Sequence, residues 1–241
     1  MKGCYDRTMF ARFPMTRRSA VVGSSSPDAA TRARAFDVLA ACYFTPACIY
    51  VSRRWSVSTH DAEDLVQSFF TQALATDVLG RYDAGKARFR TFLRACLDHH
   101  VQDAHRAKTR EKRGGGATHV PLELAPDAVA PEDLDALLHE EWVRSVFALA
   151  VSGLRAQCEA TGKATHFALF ERYDLEGPER TPRPTYDDLA REFALPATQV
   201  TNHLAAMRRA FRREVLSTLR ATTASEAEFR AEARDLLGVE P

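Results

Sequence analysis

Long uninterrupted apolar runs are absent from this sequence. Its 241 residues, 45% of them apolar, can build the core of one large domain or two small ones. No segment approaches the roughly 20 successive apolar residues of a membrane-spanning helix. The basic N-terminal segment leads into "SAVVGSSSP", which is too short for the core of a signal peptide. We therefore expect a soluble, cytoplasmic protein that does not bind a membrane.

Cysteine pairs and catalytic motifs are also absent. The five cysteines are scattered, with no C-x-x-C pair, which is typical of reduced and buried thiols. No nucleophile with a base and no phosphate-binding loop is present, which argues against an enzyme. His99, His100 and His105 lie close together, but no cluster of cysteines or carboxylates completes a metal site. We expect no catalytic residue, no metal and no cofactor.

Charge is distributed very unevenly, although the formal net charge is only +1. Residues 86–113 contain nine Lys or Arg and three acids, and residues 196–220 contain five Arg and one acid. Between them, residues 117–141 contain seven acids and no Lys or Arg. Two basic segments on either side of an acidic one predict two modules that bind a polyanion. Solvated helix faces are the simpler alternative for either basic segment.

Helical periodicity extends through the first half of the chain, and no segment of useful length has the period of a strand. Ser26 and Pro27 suit a helix start, and apolar residues at 36–44 follow at helical spacing. Pro46 is expected to interrupt this helix before a second helical run to Trp55.

The next two helices carry acidic and basic side chains. The first begins at Asp61 after a cap at Ser58 or Thr59, and its expected core stripe is Leu65, Phe69 and Leu74, helped by Val66, Phe70 and Ala73. The second begins at Phe89, and its arginines project away from a buried face that includes Phe89, Phe92 and His100.

The second half of the chain is also helical. Amphipathic helices are predicted at 134–160 and 164–173. Thr185 and Asp188 then form a capping box, and a short turn separates this helix from another that buries Val200 and Leu204. Two short helices around a tight turn have the form of a helix-turn-helix.

Three segments together carry a family resemblance: "DAEDLVQSFF", "GKARFRTFLRACLDHHVQDAHRAKTREKRGGG" and "TYDDLAREFALPATQVTNHLAAMRRAFRRE". In this order and spacing, they resemble a sigma-70 family sigma factor of the two-domain, extracytoplasmic-function type. The resemblance implies an all-α fold of two small helical domains joined by a flexible acidic linker. Sigma region 2 would occupy 32–112, the linker 113–133, and region 4, with its helix-turn-helix, 134–221.

Two flanking segments lie outside the implied domains. Residues 1–31 form a basic tail that we expect to be disordered. Residues 222–241 form a C-terminal extension with a capping box at Ser225 and Glu228 and an amphipathic pattern. This short helix either packs on region 4, which we favour, or regulates access to it.

The resemblance implies a transcription initiation factor that directs core RNA polymerase to promoters, where it recognises and melts the −10 element and recognises the −35 element. The implied partners are the β′ clamp helices and β subunit of core RNA polymerase and promoter DNA, with an anti-sigma factor as a further candidate. The alternative is a helix-turn-helix regulator that works without polymerase, and the D-A-E-D helix argues against it.

The resemblance also implies the site residues. Acids on the D-A-E-D helix would face basic clamp helices, although acids also favour a helix N-terminus for purely local reasons. Ser68 stands where relatives usually have Glu. The implied core-binding residues are Asp61, Glu63, Asp64 and Gln67, and the implied −10 contacts are Arg88, Arg90, Arg94, His105 and Arg106. The implied −35 residues are Gln199, Thr201, Asn202 and His203 facing the bases and Arg208, Arg209 and Arg212 holding phosphates.

The acidic linker has two interpretations. Composition alone favours a solubilising spacer that DNA repels. In two-domain sigma factors the linker threads through the active-site cleft and RNA exit channel of the polymerase, so an acidic chain could mimic RNA there.

Overall fold

The computed structural model describes residues 19–114, 131–176 and 181–238, and within these ranges every regular element is helical. The all-α prediction is therefore confirmed. A 3-10 turn, Val78–Arg81, follows α3, and a π-helical turn, Glu171–Leu175, continues α6. The helices are α1 (Ala20–Gly23), α2 (Ala29–Trp55), α3 (Thr59–Thr76), α4 (Phe89–Gly114), α5 (Pro131–Ala160), α6 (Ala164–Phe170), α7 (Tyr186–Glu192), α8 (Ala197–Thr222) and α9 (Glu226–Leu237).

The described residues divide into two compact units. The N-terminal unit contains 19–146 and 219–238, and the C-terminal unit contains 147–218. The boundaries fall inside α5 and α8, whereas we had placed all of 134–221 in the C-terminal domain. The first half of α5 belongs to the N-terminal unit because its apolar residues are buried there: Trp142 is 1% exposed and stacks with Tyr43 at 6.4 Å between ring centroids.

Helix α2 runs without a break from Ala29 to Trp55, and the predicted interruption at Pro46 is wrong. The start also differs from the expected one, since the Asp28 side chain accepts a hydrogen bond from the Thr31 amide at 2.8 Å and caps the helix. Proline removes one backbone donor from the helix. The helix continues because Pro46 is itself buried, with buried Tyr43 and Tyr50 on either side of it in sequence.

The same helix corrects our expectation about apolar runs. By length and composition α2 could cross a membrane, since its 27 residues include a window with a mean hydropathy of 1.4. Over half of that window is buried inside the protein, as it is in the core helix of a folded domain.

The end of the basic tail is ordered. Residues 19–31 were expected to be disordered, but Ser19 caps α1, whose Ala20 and Val21 are buried, and α2 has already begun at Ala29. The rest of the predicted tail lies outside the described residues.

Helix α3 begins at Thr59, and Ser58 is its cap, accepting a hydrogen bond from the Asp61 amide at 3.1 Å. Leu74 was expected in the core but is 38% exposed, and Leu65 is only half-buried. The residues that α3 buries are Ala62, Val66, Phe69, Phe70 and Ala73. The face of α3 that begins at Ala62 therefore packs on the core, and Leu74 lies at the edge of that face.

The C-terminal unit has two small apolar clusters. One joins Leu154 and Phe170 to Met207, and the other joins Leu189 of α7 to Val200 and Leu204 of α8. The capping box of α7 is present, with Thr185 and Asp188 satisfying each other's backbone amides. The turn to α8 passes through Ala194, whose φ of 52° lies in the left-handed region. The predicted helix-turn-helix segment therefore forms two helices around a tight turn.

The predicted linker is described only at its ends. Residues 115–130 lie outside the described residues, while residues 131–133 form the first turn of α5.

Candidate functional sites

One face of α3 carries the predicted core-binding residues. Asp61, Asp64 and Gln67 are exposed, and Glu63 is half-buried. The exposed three follow one another at intervals of three residues, which places them on one side of the helix. The Asp61 carboxylate accepts a hydrogen bond from the Ser58 hydroxyl at 2.6 Å, so it also serves the helix start. The acidic face of α3 is thus open to a partner while the opposite face is buried.

His100 of α4 holds α3 by two hydrogen bonds. Its Nε2 lies 2.7 Å from the Ser68 hydroxyl, and its Nδ1 lies 2.9 Å from Oε1 of Gln72. A neutral ring that donates from Nδ1 and accepts at Nε2 satisfies both contacts. Burial lowers the pKa of His100 below its ordinary value, which favours that neutral ring. In the sequence, Ser68 stood out only because relatives usually have Glu at this position. In the structure, its hydrogen bond to His100 joins α3 to α4.

Three predicted −10 residues, Arg88, Arg90 and Arg94, form a cluster at the start of α4, which we call the arginine cluster. Each is paired with a carboxylate. Arg90 Nη1 lies 2.5 Å from Glu232 Oε1, and Arg88 Nη2 lies 2.8 Å from Asp235 Oδ2. Arg94 Nε lies 3.0 Å from Asp135 Oδ1, an ion pair without the geometry of a hydrogen bond.

The carboxylates of Glu232 and Asp235 come from α9. We favoured packing of this helix on region 4. Its side chains contact Arg220, at the end of the implied region 4, and also the residues just before and at the start of α4. Charge contributes to this placement, because Glu232 and Asp235 lie on one side of α9 and face Arg88 and Arg90. Sequence reasoning missed these acids, although their spacing of three and four residues was a usable signal.

The other two predicted −10 residues lie further along α4. Arg106 is exposed and has only a loose contact with Asp103, at 3.4 Å. His105 stacks on Trp55, with 6.0 Å between ring centroids, and the Arg54 guanidinium lies 5.2 Å from the centroid of the same Trp ring. Arg54 and Trp55 thus extend this basic and aromatic surface, and neither was predicted.

Helix α8 presents the predicted base-reading residues. Val200 and Leu204 are fully buried, as the periodicity predicted, and Gln199, Thr201 and Asn202 are exposed. The Thr201 hydroxyl donates to the carbonyl of Ala197, at 3.1 Å, within the helix. His203 is half-buried and stacks on His166, with 3.7 Å between ring centroids. Gln199 and Asn202 therefore remain the most accessible polar side chains at the start of α8.

The arginines of α8 have unequal surroundings. Arg208 donates from Nε and Nη2 to both carboxylate oxygens of Asp174, each at 2.9 Å, and its guanidinium lies 5.6 Å from the Tyr173 ring centroid. This pairing raises the pKa of Arg208 further above its ordinary value. Arg209 and Arg212 are exposed and form no ion pair with any residue that the structure describes.

Comparison with known families identifies one segment. Residues 44–111 match the family model of sigma-70 region 2. This segment is therefore similar to sigma-70 region 2. The matched segment spans the C-terminal part of α2, all of α3 and nearly all of α4, and so includes the acidic face and the arginine cluster. No curated protein and no solved structure matches the chain.

The region 2 match supports a role in promoter recognition and transcription initiation, with core RNA polymerase and promoter DNA as partners. Sigma-70 factors are non-enzymatic initiation factors that act on DNA-bound polymerase in the cytoplasm. Within the described residues, no group of three or more His, Cys, Asp or Glu has the arrangement of a metal site.

Proposed function

We propose that this chain is a two-domain sigma factor of the extracytoplasmic-function type. In this proposal the acidic face of α3 binds the clamp helices of the β′ subunit, the start of α4 binds the −10 element, and α7 and α8 bind the −35 element as region 4. The observation that carries the proposal is the exposed acidic face of α3 inside the segment that matches sigma-70 region 2.

Electrostatics supports the α3 contact. Asp61 and Asp64 are exposed and one turn apart, so a basic helix could approach both carboxylates at once. Complementary charges of this kind increase the association rate and select the partner, and salt screens them. The clamp contact should therefore weaken as ionic strength rises.

The C-terminal unit supports the −35 assignment through its side-chain chemistry. Asn202 and Gln199 can each form two hydrogen bonds with adenine, and one such pair discriminates between bases by about 1–3 kcal/mol. Arg209 and Arg212 are exposed and suit phosphate contacts, which position the protein without reading sequence.

The test is a charge reversal on the acidic face. The double variant Asp61→Lys, Asp64→Lys should bind core polymerase at least about tenfold more weakly at 0.15 M salt, a loss of about 1.4 kcal/mol. The matched control is Asp37→Lys, Glu159→Lys, which changes the charge equally at two exposed residues away from α3. Circular dichroism should show both variants folded. Equal affinities of the two variants for core polymerase would contradict the proposal.

A further inference from the structure

Helix α9 packs against the other helices of the N-terminal unit. Its inner side buries Phe229 and Ala233, and the Ser225 side chain caps its first turn. At the corner with α8, the Arg220 guanidinium lies 4.0 Å from the Phe229 ring centroid and 2.8 Å from Glu226 Oε2. The helix is therefore a packed element of this unit.

Three acids of α9 face the start of α4: Glu228, Glu232 and Asp235. Glu228 accepts a hydrogen bond from the Phe89 amide at 2.9 Å, and the same oxygen lies 3.0 Å from the Tyr82 hydroxyl. The Phe89 amide is one of the unpaired donors at the first turn of α4, where negative charge is favoured. The Glu228 carboxylate therefore satisfies one of the free amides at the N-terminus of α4.

Glu232 occupies the centre of the contact. Its side chain is only 2% exposed, and it lies between Arg90, at 2.5 Å, and Arg88, at 3.5 Å. The Arg90 guanidinium is 13% exposed and lies 5.0 Å from the Trp142 ring centroid. A carboxylate buried to this degree requires such partners, because an unpaired buried charge is strongly destabilising. The arginines, the amide and the Trp ring thus form a closed anion pocket, defined here by Arg88, Phe89, Arg90 and Trp142.

The donors of this pocket are those that a nucleic acid needs. Guanidinium groups and the free amides of a helix N-terminus bind phosphate oxygens as they bind carboxylates. Both cannot be bound at once, because Glu232 and Asp235 already use the guanidinium groups of Arg88 and Arg90. Release of α9 would expose two cations next to Tyr82 and Trp142, and aromatic rings beside cations favour single strands.

We propose that α9 is an autoinhibitory helix whose carboxylates occupy the anion pocket in place of the phosphates of single-stranded DNA. DNA and α9 then compete for Arg88 and Arg90. This inference rests on the proposed function, in which the arginine cluster binds the −10 element.

The first test neutralises the competing acids in the full chain. Glu232→Gln, Asp235→Asn should bind a fluorescent A/T-rich single-stranded oligonucleotide about tenfold more tightly than the unmodified protein. The slope of log Kd against log salt should steepen by about 1.4, since two freed arginines each contribute about 0.7 on a single strand. The matched control, Asp37→Asn, Glu159→Gln, removes two exposed acids that belong neither to α9 nor to the pocket and should gain much less.

The origin of the gain is tested by a second pair of substitutions. Adding Arg88→Ala and Arg90→Ala to the neutralised variant should abolish the gain in affinity and the steeper salt slope. A gain that survives without the two arginines, or an equal gain in the control, would overturn the inference.

The second test uses the unmodified protein and does not depend on how the variants fold. Hydrogen exchange of the α9 amides should accelerate when the oligonucleotide is added at saturating concentration, because bound DNA displaces the helix. If the oligonucleotide binds through Arg88 and Arg90 while the α9 amides remain protected from exchange, the inference is overturned. The proposed function would then still stand. If the neutralised variant releases α9 yet binds no DNA, the −10 assignment of the arginine cluster fails as well.

Discussion

At the residue scale, the neighbouring arginines Arg208 and Arg209 of α8 have different surroundings. Arg208 and Arg209 are both exposed, but Arg208 donates to both carboxylate oxygens of Asp174, whereas Arg209 forms no ion pair with a described residue. The periodicity of α8 could not reveal this difference, because Asp174 lies 34 residues away in the sequence.

Substitution of the two arginines should separate binding from stability. Arg209→Ala should weaken binding to every −35 sequence and reduce the salt slope by about 1, because one phosphate contact is lost. Arg208→Ala should mainly lower the free energy of unfolding, by up to about 1 kcal/mol for a half-exposed ion pair. Salt-dependent DNA binding and urea titration measure the two effects. Identical losses of DNA affinity in both variants would contradict this distinction.

Two leucines of the N-terminal unit differ in burial and allow a second comparison of substitutions. Leu97 of α4 is fully buried, whereas Leu74 of α3, which the sequence pattern placed in the core, is 38% exposed. Leu97→Ala should lower the free energy of unfolding by about 2–5 kcal/mol because it leaves a cavity. Leu74→Ala should change it by less than about 0.5 kcal/mol. Urea unfolding checks both values, and a large loss at Leu74 would contradict the burial pattern of α3.

At the scale of elements, the junction of α3 and α4 should respond to pH. The folded-state pKa of His100 lies below the ordinary value of 6.5, because burial disfavours the charged ring. The unfolded chain therefore binds more protons between the two pKa values, so stability is fully present above about 6.5 and is lost as the pH falls towards the folded pKa.

The pH effect can be assigned by substitution. His100→Gln keeps a donor and an acceptor for Ser68 and Gln72 but cannot titrate. We expect the thermal midpoint of the unmodified protein to fall more steeply between pH 7 and pH 5 than that of the variant. Parallel curves for the two proteins would show that His100 does not contribute to the acid sensitivity.

The sequence predicted the elements well where the controlling interactions are local. The capping box at Thr185 and the burial of Val200 and Leu204 follow from spacings of three and four residues. Pro46 was misinterpreted because burial on both sides of it outweighs the lost backbone hydrogen bond. The place of α9 could not be predicted, because Glu232 and Arg90 are 142 residues apart and no local pattern joins them.

At the scale of the whole molecule, composition alone favours a spacer role for the acidic linker, whereas the family resemblance suggests a second role. We propose that the linker, residues 113–133, mimics RNA in the polymerase channel. Changing Glu123 and Glu132 to Gln, and Asp127 and Asp133 to Asn, should weaken holoenzyme formation and change the ratio of abortive to full-length transcripts. Exchanging Glu and Asp at the same four positions keeps the charge and is the control. Unchanged abortive synthesis with normal affinity for core polymerase would make the linker a spacer.

Both tryptophans of the chain, Trp55 and Trp142, lie in the N-terminal unit. Tryptophan emission therefore reports the environment of that unit. A transition confined to the C-terminal unit would be visible by far-ultraviolet circular dichroism and nearly silent in fluorescence. Because Trp142 lies beneath the Arg90 guanidinium and within the anion pocket, its emission should also shift when α9 leaves, which gives an intrinsic optical probe of that movement without any label.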